Sequence, residues 1–217
     1  MRDRNAPLTA SGLDSLDWAK GGGLIPAIVQ DSATLQLLML GYMNRESLEA
    51  TLASGLVTFY SRSRAALWRK GETSGNLLRL DAVHCDCDGD ALLVLCRPEG
   101  PTCHLGTPSC FTAEGPQGIG FVAELQRIIE RRSAAPPEES YTARMMAEGP
   151  VRIAQKVGEE GVELALAAAT GDRTACIEEA GDLVFHVGLL MQARGFGWAD
   201  VAAELRRRHE AAGPRPE

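Results

Sequence analysis

Apolar residues recur with different periods in the two halves of this 217-residue chain. In the first half they form short alternating or continuous blocks rich in Ile, Val and Leu. Leu24 to Gln30 and Thr34 to Leu40, divided by the turn-like Asp31-Ser32-Ala33, read as paired strands. Val57 to Ser61, Ala66 to Arg69, Asn76 to His84 and Ala91 to Arg97 read as further strands. Asn44 is a good N-cap for a helix that carries Leu48 and Leu52 on one face and stops at Gly55. A short helix over Leu13 to Lys20, ended by Gly21-Gly22-Gly23, precedes the strands.

Near Thr112 the two-residue period disappears. The glycine- and proline-containing stretch 113–118 reads as a linker. Beyond it Phe121, Leu125, Ile128 and Ile129 fall at helical spacing. Tyr141 to Ala147, Val151 to Thr170, Thr174 to Arg194 and Trp198 to His209 continue as helices, with Gly149-Pro150, Gly171 and Gly195 as stops. The pattern predicts a multidomain protein: a mostly-β, α+β domain over 1–112 and an all-α domain over 119–217.

Composition narrows the function. A net charge of −7 without a polybasic block argues against a nucleic-acid partner. Neither a leader of signal-peptide character nor a membrane-length apolar run is visible, so a cytoplasmic protein without a membrane partner is expected. Five of the six cysteines fall between Cys85 and Cys110 among aspartates, a clustering that favours metal binding over disulfides in a reducing compartment.

That segment carries the first chemistry. Cys87, Cys103 and Cys110 offer three sulfurs, and zinc with three protein ligands keeps an open position for a water of pKa about 7. Cys85 competes as a ligand if the segment is extended, whereas Cys96 ends an apolar strand and reads as a core thiol. Asp86, Asp88 and Asp90 alternate, so an extended segment turns all three to one side, where a hard cation such as Mg²⁺ offsets their repulsion. The cluster falls at a turn between the two flanking strands, and a merely solvated acidic turn is the plainer alternative. Ser61-Arg62-Ser63-Arg64 and the loop holding Trp68, Lys70, Thr73 and Ser74 suit a phosphate cradle or, equally, a solvated basic loop.

Taken together these residues resemble phosphoribosyl-AMP cyclohydrolase of histidine biosynthesis. The matching stretches are Gly23 to Asp31, Met39 to Asn44, Phe59 to Arg64, Leu67 to Asn76, Asp86 to Asp90 and Cys103 to Phe111. Leu105, where threonine is frequent, and the extra thiol Cys85 depart from the pattern without touching a ligand position. The resemblance implies zinc on Cys87, Cys103 and Cys110, magnesium on Asp86, Asp88 and Asp90, and a homodimer whose subunits share the site. It also implies hydrolytic opening of the adenine ring of phosphoribosyl-AMP. The proton shuttle that this reaction needs falls to His104, beside a zinc ligand, or to His84; orientation of the metal shell is an equal role for His104.

The second half carries acids at helical spacing. Glu160 and Glu163 are i and i+3 on one expected helix, and Glu179 and Asp182 on the next. Apolar neighbours, Val162, Leu164 and Leu166 among them, put these acids near a packed interface, where Mg²⁺ would neutralise them. A solvated acidic face is the competing view. The pattern resembles the all-α nucleoside triphosphate pyrophosphohydrolases. More narrowly, Ser140 to Arg144, Lys156 to Glu160 and Glu179 to His186 resemble phosphoribosyl-ATP pyrophosphohydrolase, with Gly161 where alanine is usual. The resemblance implies release of pyrophosphate from phosphoribosyl-ATP at a magnesium site, with Glu160 and Glu163 catalytic and Arg144 and Lys156 meeting phosphates. His186 reads as a supporting residue of that site or as a structural histidine. The expected whole is a bifunctional enzyme in which the second half acts first. A general nucleotide pyrophosphohydrolase with a degenerate first domain and a zinc-stabilised interaction module are the competing functions.

Overall fold

A computed structural model describes residues 6–211. The outer ends of the two expected domains, 1–5 and 212–217, lie outside the described residues, as does part of the stretch in which a leader was sought. The chain divides into two compact units, Met1–Phe121 and Val122–Glu217.

The first unit opens with a 3-10 helix, Ala10–Ser15, shorter and earlier than the expected Leu13 to Lys20 helix. Its Ser15 hydroxyl donates to the Gly12 carbonyl, a local bond that competes with helix continuation. Strands β1 (Ile25–Asp31) and β2 (Leu37–Met43) are antiparallel. β2 starts later than expected because the Asp31 carboxylate accepts the Ala33 and Thr34 N–H groups and Leu35 is left-handed at φ 60°, which prolongs the turn.

Helix α1 (Arg45–Ser54) begins with a full capping box, in which the Asn44 side chain accepts the Ser47 N–H and the Ser47 hydroxyl accepts the Asn44 N–H. It ends on left-handed Gly55. β3 (Thr58–Ser61) and β4 (Ala66–Arg69) form a separate hairpin. β5 (Leu78–Cys85) and β6 (Leu92–Pro98) complete a four-stranded sheet of order β2-β1-β6-β5, in which β1 and β6 alone are parallel. Alternate residues Ile25, Ala27 and Val29 of β1 and Leu92, Val94 and Cys96 of β6 face one core, closed by Leu48 of α1 and Phe59 of β3.

The second unit is helical. α2 (Ile119–Ser133) crosses the boundary between the units; α3 (Tyr141–Glu148), α4 (Pro150–Thr170), α5 (Arg173–Arg194) and α6 (Trp198–Ala211) follow. α4 and α5 form a hairpin across Gly171-Asp172, with Asp172 capping α5 by accepting the Thr174 and Ala175 N–H groups. The buried core is small: Ile129, Met145, Ile153 and Leu189. Val162 and Leu166, expected at a packed interface, are instead 60% and 62% exposed.

Candidate functional sites

In the first unit the aspartates lie on a turn, so their expected grouping by alternation along an extended segment is corrected. Regular strand ends at Cys85. The Asp86 carboxylate Oδ1 then accepts the backbone N–H groups of Gly89, Asp90 and Ala91 at 3.0, 3.1 and 3.2 Å, and Gly89 takes the left-handed conformation. This wrapping still gathers Asp86, Asp88 and Asp90, each offering one oxygen, all within 4.8 Å of one another. Asp17 fastens the turn from outside by donating its N–H to the Gly89 carbonyl.

Lys20 donates to Asp88 at 2.8 Å and pairs with Asp90. The pair holds the Asp88 carboxyl below its ordinary range. No local signal marks Lys20, which lies 68 positions from Asp88.

Cys103 and Cys110 meet in the loop after β6. Gly106, left-handed at φ 80°, closes the turn from Cys103, and the Cys110 N–H donates to the Leu38 carbonyl on β2. Backbone N–H groups at Leu105 and the Thr107 hydroxyl lower the Cys103 thiol pKa, whereas burial and then the neighbouring Cys103 raise that of Cys110. Cys87 is exposed on the acid turn beside Asp88, and among the described residues no third ligand joins the Cys103–Cys110 pair. Cys96 is fully buried in the core. Cys85 is half-buried at the end of β5, donating to the Asp86 carbonyl.

The two thiols line a cavity of about 500 Å³ together with Trp68, Lys70, Thr73, Ser74 and His104. Lys70 is 7% exposed, donates to the Asn76 carbonyl at 3.4 Å, and has its pKa lowered by burial, against an upward pull from Cys110 and Cys103. Gly71 is required in that loop, since a Cβ there would meet the Asn76 carbonyl oxygen at 2.4 Å. His104 Nδ1 lies 3.8 Å from Cys103 Sγ. His84 sits on β5 opposite Leu93 and does not line the cavity. Arg62 and Arg64 also stand outside its lining; their guanidinium carbons lie 3.9 Å and 6.0 Å from the ring centres of Tyr42 and Trp68.

In the second unit one oxygen each from Glu160 on α4 and from Glu179 and Asp182 on α5 lie within 4.8 Å of one another. Glu160 is 5% exposed and accepts from Lys156 at 3.2 Å. Glu163, exposed one turn further on, is outside that trio; repulsion from Glu160, then burial and Glu179, raises its pKa. Lys156 is occupied by Glu159 and Glu160. Arg144 is exposed, with its guanidinium 5.3 Å from the ring centre of Tyr141.

Residues 39–112 match the sequence model of phosphoribosyl-AMP cyclohydrolase, and residues 122–209 that of phosphoribosyl-ATP pyrophosphohydrolase. The histidine biosynthesis bifunctional protein HisIE of Escherichia coli (strain K12) is 51% identical over 203 residues, covering 94% of this chain and 100% of the relative. The chain belongs to the bifunctional HisIE family.

HisIE of Xylella fastidiosa (strain Temecula1) is 52% identical over 206 residues, 94% of this chain and 98% of the relative. HisIE of Photobacterium profundum is 50% identical over 200 residues, 90% and 97% respectively. As a HisIE enzyme the chain is a hydrolase with phosphoribosyl-AMP cyclohydrolase and phosphoribosyl-ATP diphosphatase activities, and the strand-rich and helical units follow the order of the two matches. Among the described residues no helix is long and apolar enough to cross a membrane.

Proposed function

We propose that the helical unit, at a magnesium site on Glu160, Glu179 and Asp182 with Glu163 beside it, converts phosphoribosyl-ATP to phosphoribosyl-AMP and pyrophosphate. The first unit then opens the adenine ring with water activated at zinc, in a cytoplasmic homodimer. The observation that carries the second step is the Cys103–Cys110 thiol pair lining a cavity beside Lys70 and His104. Two soft sulfurs suit zinc, and Cys87 of the partner subunit would complete the three-thiolate set. The oxygen-only trios suit magnesium. Zinc held by the thiols supplies a water acidified into the neutral range, and magnesium offsets phosphate charge.

The chain's own residues would do the rest. Lys70, Thr73 and Ser74 bind the substrate phosphate, and Trp68 offers a ring face to the base. Water adds at C6, the N1–C6 bond breaks, and His104 carries the proton from that water to N1. With Nδ1 against Cys103, its Nε2 is the nitrogen left to move the proton. In the helical unit Arg144 meets the phosphates while the acids hold the cation. Exposed apolar residues, Val162, Leu166 and Ile177 on the helices and Ile28 and Leu40 on the sheet, support assembly with a second copy.

Purified protein given phosphoribosyl-ATP and Mg²⁺ should release pyrophosphate and then show the absorbance change of ring opening. Cys103→Ala should lose bound zinc and ring opening only, and Glu160→Gln pyrophosphate release only, with ring opening read on phosphoribosyl-AMP supplied directly. Loss of both steps in either variant would refute two independent sites.

A further inference from the structure

Tyr141 opens α3, one turn before Arg144, and its hydroxyl lies 3.0 Å from Nε2 of His186 on α5. His186 is 5% exposed, and its Nδ1 is 2.9 Å from the Asp182 carbonyl oxygen. A carbonyl only accepts, so Nδ1–H donates to it, which leaves Nε2 facing the Tyr141 hydroxyl across a hydrogen bond. The same Nδ1 lies 3.7 Å from Glu160 Oε1 on α4. One buried imidazole therefore touches all three helices, and does so beside two of the three converging acids. The Tyr141 ring in turn packs against Phe185 at 6.1 Å between centroids and carries the Arg144 guanidinium on its face. A purely packing role needs neither the hydroxyl nor the imidazole nitrogens.

We propose that Tyr141 and His186 are positioning residues of the pyrophosphohydrolase half. Their hydrogen bond registers α3, with its phosphate-facing Arg144, against the carboxylates of Glu160 and Asp182. The inference rests on the reading of Glu160, Glu179 and Asp182 as a divalent-cation site. Without the hydroxyl, His186 keeps only its bond to the Asp182 carbonyl, and the ring that abuts Glu160 is free to tilt.

The test is a Mn²⁺ titration followed by electron paramagnetic resonance on the full-length protein, in an Asp88→Asn/Asp90→Asn background that removes the acid turn as a competing site. Tyr141→Phe keeps the ring against Phe185 and Arg144, so packing alone predicts no change. The expected result is Mn²⁺ binding weakened about tenfold, with a comparable fall in kcat for pyrophosphate release, as for other groups that orient metal ligands. His186→Asn preserves an N–H near the Asp182 carbonyl but cannot reach Tyr141; it should show the same loss, and adding Tyr141→Phe should cost nothing more. Unchanged affinity in Tyr141→Phe, or losses that add in the double variant, overturns the inference alone. Absence of Mn²⁺ binding in the parent overturns the cation-site reading and the inference with it.

Discussion

Asp86 separates two roles that the acid turn combines, charge and fold. Replacing it by alanine removes the acceptor of three backbone N–H groups, Gly89, Asp90 and Ala91. A buried bond of this kind contributes about 1 kcal/mol, but this carboxylate is exposed and water replaces part of the loss, so about 0.5 kcal/mol each is appropriate. The three together come to about 1.5 kcal/mol, or roughly tenfold in the unfolding equilibrium of the first unit. Asp86→Asn keeps an oxygen in the Oδ1 position and gives up the charge. It should stay within about 0.5 kcal/mol of the parent while binding Mg²⁺ more weakly. Urea unfolding followed by tryptophan fluorescence reads this in a Trp198→Phe background, where Trp18 and Trp68 report on the first unit alone. Hydrogen exchange at the three amides should quicken in the alanine variant only. Equal stabilities for the alanine and asparagine variants would refute the claim that Oδ1 holds the turn.

Other consequences can be tested in the same preparation. Gly41→Ala places a Cβ 2.4 Å from Cδ1 of buried Phe59, whose ring already packs on Trp68, so the urea midpoint should fall by the equivalent of about 1–3 kcal/mol. Cys87→Ala and Cys103→Ala chains, each inactive in ring opening, should recover about a quarter of the activity when unfolded together and refolded, because a mixed dimer keeps one intact shared site; no recovery would confine each site to one chain. Lys20→Met removes the ammonium from between Asp88 and Asp90, and Mn²⁺ affinity at the acid turn should rise about two- to fivefold by calorimetry, with Lys20→Arg unchanged.

What could be read in advance was what the chain encodes locally. Asn44, Ser47 and Gly55 fix both ends of α1 within a dozen positions, and the two-residue period of Ile25, Ala27 and Val29 marks a strand without knowledge of its partners. The parallel pairing of β1 with β6 has no such signal, since Ala27 faces Leu92 across a long crossover. At the acid cluster the turn between two strands was legible from its flanks, but the wrapping of Asp86 onto the Gly89 N–H was not, and the Asp alternation pointed to an extended segment within it. On α4 the spacing of Glu160 and Glu163 was legible but their environment was not. Helical phase alone does not say that Glu160 is buried against Lys156 and His186 while Val162 and Leu166 face outward. The contacts of Tyr141 with His186 and of Lys20 with Asp88 belong to tertiary structure, and the sequence carries no short-range trace of them.

The two acid clusters meet the same electrostatic difficulty with the same device. Carboxylates whose oxygens converge within 4.8 Å repel one another, and a nearby ammonium offsets that repulsion. At the turn Lys20 supplies the charge; in the helical unit Lys156 bridges Glu159 and Glu160, and the acids hold its pKa well above the ordinary lysine value. Each lysine reaches in by its flexible stem, so it can withdraw without disturbing the backbone that aligns the acids. On the proposed reading, a divalent cation would replace that ammonium and take oxygen ligands from several carboxylates at once. On the same reading, Cys103 and Cys110 would hold a soft metal as thiolates, their protons leaving as it binds. The acid clusters each draw their oxygens from this chain, whereas the proposed sulfur set would take its third ligand from the partner subunit.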